Sequence, residues 1–148
     1  MTDTPTDALT RLDTFRFVTD EIVRFQDVDR IGHVNNVAFC VYAESGRVDF
    51  AEAIWPGSTA GKAVGWAIVN FNLHFRAQAH FPGRVKIGTA VTRIGTTSLS
   101  VSQGLFMADD ETCFATVDNA MVWLEFKTGK PVPIPQDMKD AVADYWLA

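Results

Sequence analysis

Basic residues are in short supply: 13 Lys and Arg stand against 18 Asp and Glu, for a net charge of −5 over 148 residues. General nucleic-acid binding needs a basic face, so that class is excluded. Room is left for a local basic patch facing a phosphorylated small molecule. Cysteine is scarcer still. Cys40 and Cys113 lie far apart, without CxxC or Cys/His spacing. That argues against a disulfide framework or a Cys/His zinc site and predicts two core thiols in a reducing compartment. No segment reaches the apolar length of a membrane span. The start, M-T-D-T-P-T-D-A-L-T, lacks the basic-then-apolar order of a secretory leader. The chain is therefore expected in the cytoplasm, with neither nucleic acid nor membrane as a partner. Several catalytic signatures are missing as well: the G-x-S-x-G elbow, H-E-x-x-H, G-x-G-x-x-G and the P-loop.

What is present reads as one domain, long enough to bury a core without disulfides or metals. Residues 1–12, rich in Thr and Asp, read as a mobile tail, and residues 13–148 as the domain. The stretch Val23–Arg47 organises the rest. Val23–Gln26 closes a strand that begins near Thr14. Asp27–Asn35 is a loop crowded with polar side chains. From Asn36 an apolar run continues to Trp55, with Pro56 as a stop, and suits a helix of about five turns. Apolar on nearly all sides at its start, this helix is expected to be buried there.

Downstream, Trp66–Gln78 alternates, with Ala67, Val69, Phe71, Leu73 and Phe75 on one face and Asn70, Asn72, His74 and Arg76 on the other. Val85–Ile94, Ser98–Met107 and Cys113–Phe126 read as three more strands separated by short turns. Gln136–Trp146 reads as a peripheral helix. One long helix covered by a curved antiparallel sheet of five strands is an α+β layer arrangement.

The chemistry concentrates in the polar loop, which carries Asp27, Asp29, His33, Asn35 and Asn36. A carboxylate can attack a carbonyl or activate a water. The unpaired N–H groups and partial positive charge of a helix N-terminus can hold the resulting oxyanion. Those two parts suffice for a substrate with a good leaving group. A thioester has one, because a thiol of pKa about 8.5 departs as thiolate with little help from an acid. Plainer roles fit the same residues. Asp29 can cap the loop, Asp27 can serve the turn or pair with Arg24 or Arg30, and Asn35 and Asn36 can cap the helix. Glu44 can pair with Arg47 one turn on, or serve the site as a substrate contact or second catalytic acid. Asp27, Asp29 and His33 could hold a metal ion, although no fourth ligand is evident.

D-x-D-x-x-G-H-V-N-N, spanning Asp27–Asn36 and followed by an aromatic-rich helix with E-S-G-R, resembles the hotdog-fold acyl-CoA thioesterases. It is most similar to the 4-hydroxybenzoyl-CoA thioesterase group. The resemblance runs from about Ile22 to Val91. It implies a hotdog fold, a long central helix wrapped by a curved five-stranded antiparallel sheet, and hydrolysis of an acyl-CoA thioester to free acid and CoA. Asp29 takes the place of the nucleophile or general base, and Asn36 lies where the first helical turn supplies the oxyanion donor. His33 and Asn35 correspond to residues that orient substrate or water. Glu44 and Arg47 match the helix's E-x-x-R. Arg76 and Arg84 are candidates to meet the CoA phosphates. The family's Arg-Pro and Gly-Asp pairs are here Arg76 without the proline and Gly83-Arg84.

The resemblance further implies a homodimer or homotetramer joined sheet edge to sheet edge, with the acyl pocket between subunits. No cofactor and no metal is called for. An acyl-carrier-protein thioesterase, a non-catalytic acyl- or CoA-binding module and a hotdog dehydratase or hydratase remain as alternatives.

Overall fold

The computed structural model describes residues 7–59 and 61–147. Its frame is one antiparallel sheet wrapped around one helix. The strands are β1 (Phe17–Val23), β2 (Val64–Phe75), β3 (Gly83–Ile94), β4 (Ser98–Met107) and β5 (Cys113–Glu125), and the helix α1 is Asn36–Ile54. Their spatial order is β1-β3-β4-β5-β2, with a two-residue strand β6 (Lys130–Pro131) appended to β5. β3, β4 and β5 follow one another through short turns. β1 and β2, separated by the long helix, end on opposite edges of the sheet. This is the hotdog architecture expected from the loop motif.

α1 buries Ala38, Phe39, Tyr42, Ala43, Gly46, Phe50 and Ile54, residues three to four apart that form one stripe against the concave face. At Gly46 helix and sheet come so close that a Cβ would sit 2.4 Å from Cγ2 of Ile87. Below this point a buried amide pair ties the layers together. Gln103 Nε2 donates to the carbonyl of Ala43 and to Thr89 Oγ1, and Asn119 Nδ2 donates to Gln103 Oε1. Buried amides without such partners would each cost about 1–3 kcal/mol.

The start of α1 is not buried all round. Val37 is 71% exposed, and Cys40 and Val41 are exposed with it. The apolar run covers both sides of the helix, but the sheet covers only one. Cys40 is therefore no core thiol, and Cys113 is only partly buried.

β2 also departs from simple alternation. Its pairing with β5 slips between Ile68 and Asn70. Such a bulge reverses the faces of the residues beyond it. Trp66 therefore packs inward before the slip, Phe71 and Leu73 pack inward after it, and Val69 stays exposed. As an edge strand, β2 is less buried than its alternation suggested.

Both chain ends do more than expected. Residues 1–6 of the expected tail lie outside the described residues. Residues 7–12 are folded as turns on the convex face, with Leu9 buried beside Phe15, Ala90 and Phe106. The C-terminal helix α2 (Gln136–Val142) is not peripheral. Met138 and Val142 are buried against Trp123 and Ile134 and against Phe50 and Val91 respectively, closing the end of the half-barrel beyond α1. Among the described residues no helix is long and apolar enough to cross a membrane.

Candidate functional site

The two loop aspartates have different surroundings. Asp27 ends a 3-10 turn (Phe25–Asp27) and is buried. Its Oδ2 accepts from the Arg24 N–H at 2.9 Å and from the Tyr42 hydroxyl at 2.7 Å. Its carbonyl accepts the Asn35 N–H at 2.8 Å. Burial and this hydrogen bond push the Tyr42 phenol well above the ordinary tyrosine range. Asp27 is thus a structural brace, bonded to the backbone of Arg24 rather than paired with a neighbouring arginine.

Two residues on, Asp29 is exposed. Its Oδ1 accepts the Ile31 N–H at 2.8 Å in an Asx turn, and among the described residues its Oδ2 has no hydrogen-bond or salt-bridge partner. Gly32, at φ +88°, makes this turn possible. The Asp29 N–H donates to the His33 carbonyl at 2.9 Å, and Val28 bridges Val34. Asp29 and His33 therefore face each other across a miniature hairpin. His33 is half-buried and its side chain forms no hydrogen bond among the described residues.

The hairpin leads directly into α1. Asn35 is the N-cap, its Oδ1 accepting the Ala38 N–H at 2.9 Å. Among the described residues no acceptor meets the N–H of Asn36 or of Val37, leaving two donors at the positive end of a 19-residue helix.

The basic candidates lie at the same end of the fold. The Val34 N–H donates to the Ala79 carbonyl, fastening the loop to the β2–β3 connection, which is flanked by Arg76 and Arg84. Arg76 is exposed and donates through Nε and Nη2 to Thr116 Oγ1. Arg84 is exposed, and its side chain has no partner among the described residues.

Glu44 does not join this group. It is exposed on α1, and no salt bridge links it to Arg47, which turns inward and donates to Asn119 Oδ1 at 3.3 Å. At 100° per residue, three residues separate the two side chains by about 60° around the axis, enough to send one out and one in. Among the described residues no cluster of three His, Cys, Asp or Glu side chains is placed to hold a metal ion.

A cavity of about 430 Å³ opens beside the second half of α1. Val48, Ala51, Trp66, Ile68, Met121 and Phe126 form its apolar wall, and Glu44, Arg47, Ser58, Thr59 and Lys62 its polar part. Of these only Glu44 was a site candidate from sequence. Arg47 shares its E-x-x-R motif; no motif marks the rest, because they come from a helix, a loop and two strands that only the fold assembles.

A profile of the thioesterase-like superfamily matches residues 23–142. The chain belongs to the thioesterase-like superfamily. Solved structures agree with that membership. The PA5185 protein of Pseudomonas aeruginosa shares 26% identity over 92% of this chain and 95% of its own, with a TM-score of 0.82. A predicted thioesterase of Bacillus stearothermophilus shares 25% identity over 88% and 96%, with a TM-score of 0.80. A Thermus thermophilus thioesterase crystallised with coenzyme A and zinc has the same fold, with 24% identity over 87% and 98% and a TM-score of 0.77. No protein of curated function matches the chain. Superfamily and neighbours together support thioester hydrolysis in general.

Proposed function

We propose that this superfamily member hydrolyses acyl-CoA thioesters to free acid and CoA, as a relative of the 4-hydroxybenzoyl-CoA thioesterase group. The observation that carries the reading is the division of labour between the loop acids. Asp27 is consumed by Arg24 and Tyr42, whereas Asp29 keeps a free carboxylate oxygen in the loop that leads into a helix start with two unmet N–H donors. As nucleophile, Asp29 Oδ2 attacks the thioester carbon, the C–S bond breaks, CoA leaves as thiolate and water cleaves the mixed anhydride. As general base, it takes a proton from water, whose oxygen attacks the same carbon. In either case the N–H groups of Asn36 and Val37 receive the charge that gathers on the carbonyl oxygen. His33 and Asn35 orient the reactants, and Arg76 and Arg84 meet the CoA phosphates.

The active unit in this reading is a pair of copies. β2 is an open edge bearing exposed Ile68, Val69 and Phe75, and α1 shows a bare stripe of Val37, Val41 and Val48. A two-fold axis that pairs β2 with β2 would lay the helices antiparallel. Arg47, beside the cavity, lies eleven residues along α1 from Asn36, about 17 Å at 1.5 Å per residue. One compact acyl group cannot bridge that distance within a single chain. In the pair, the loop of one copy meets the cavity of the other.

A panel of acyl-CoAs assayed with a thiol-reactive dye tests the proposal. At least one is turned over, and Asp29→Asn lowers kcat by about 10²- to 10⁴-fold with binding retained. Full activity in Asp29→Asn refutes the assigned role. Binding of CoA esters without any hydrolysis makes the protein a binding module, and turnover of acyl-carrier-protein thioesters alone moves the substrate class.

A further inference from the structure

The polar groups on the cavity wall are unevenly committed. Ser58 Oγ donates to the Ala51 carbonyl and Thr59 Oγ1 to Glu52, so neither is available. Arg47 is half-buried. It spends one N–H on the long bond to Asn119, and among the described residues no carboxylate lies within salt-bridge distance of it. Burial pulls its guanidinium below the ordinary value, and the charge of Glu44 acts against that shift. Trp66 gives the wall only its apolar ring, because its buried Nε1 presents no surface to the cavity. Lys62 adds a second cation at the rim. A half-buried guanidinium without a carboxylate partner carries a desolvation cost that an acceptor would remove. The remainder of the wall is aliphatic, aromatic and thioether.

Resting on the thioesterase reading above, we infer that the cavity takes an acyl group with a compact apolar body and a carboxylate at its far end, held by Arg47 and Lys62. A neutral acyl tail of the same length fills the apolar part and leaves those donors unmet. A site built to bond a polar group rejects the analogue that lacks it far more strongly than an apolar pocket rejects a missing methylene.

The test compares the CoA thioester of a straight-chain dicarboxylic acid with that of the monocarboxylic acid of equal carbon number. The wild-type protein is expected to favour the former by at least about tenfold in kcat/KM. Arg47→Met collapses the ratio, Arg47→Lys restores part of it, and Lys62→Met reduces it with the thermal midpoint held. A wild-type ratio near one or reversed, or a ratio indifferent to both Arg47→Met and Lys62→Met, overturns the inference and leaves thioester hydrolysis standing.

Calorimetry on the Asp29→Asn protein with the free dicarboxylic acid supplies a readout independent of turnover. Arg47-dependent binding of the diacid, unaffected by free CoA, supports the cavity assignment even if no thioester is cleaved. Displacement by CoA at that position would mean that Arg47 reads phosphate, and would overturn it.

Discussion

Tyr42→Phe probes the brace beneath the loop. The ring stays in place against Phe114, with centroids 6.5 Å apart, and only the hydroxyl that donates to Asp27 Oδ2 at 2.7 Å is removed. Asp27 then retains the Arg24 N–H as its one donor to that oxygen. Bonds to charged groups contribute about 1.5–3 kcal/mol, so a loss near 2 kcal/mol is expected at pH 7. For a chain of this size that lowers Tm by roughly 6 °C.

The pH dependence sharpens the test. The Tyr42 pKa is raised in the fold above the ordinary tyrosine value of about 10. Above pH 10 the unfolded chain releases this proton while the folded chain keeps it. The contribution is therefore intact below pH 10 and declines above it, by about 1.4 kcal/mol per pH unit. At pH 11 the gap between wild type and Tyr42→Phe should shrink from about 2 to about 0.6 kcal/mol. Urea titrations at pH 7, 9 and 11 measure it, since every other group is common to the two proteins. Equal stability at pH 7, or a gap that stays constant to pH 11, would refute the claim that this phenol supports the aspartate.

Two further outcomes follow from packing and from the open edge. Gly46→Ala gains about 1 kcal/mol of helix propensity but drives a methyl into Ile87 at 2.4 Å, where overpacking costs about 1–3 kcal/mol. The expected net loss of about 1 kcal/mol in urea unfolding would be contradicted by a stabilised variant. Val69→Lys places a charge on the exposed bulge of β2. Sedimentation should then report a monomer, and the thioesterase assay a loss of turnover. A fully active monomer would count against a site shared between copies.

Much of the fold follows from interactions a few residues long, and those were legible in the chain. The extent of α1 and its Asn35 cap depend on hydrogen bonds and sterics within about four residues. The strands β3, β4 and β5 depend on a period of two and the turns between them. The loop motif pointed to the superfamily because its residues are contiguous. Adjacency could not tell Asp27 from Asp29. Their roles separate only because Tyr42, fifteen residues on, turns back beneath one of them.

The same limit hid the remaining features. The slip at Val69 reverses the inward face of β2 because of its register with β5, which no property of residues 64–75 announces. Arg47 turned from Glu44 to Asn119, 72 residues away, because the helix face it occupies points at the sheet. The 430 Å³ cavity exists only where helix, loop and strands converge. Local chemistry chose the elements and the reactive loop. Burial, pairing register and long-range polar contacts, which act between segments distant in sequence, decided which side chain on each element is spent on structure and which remains free for a ligand.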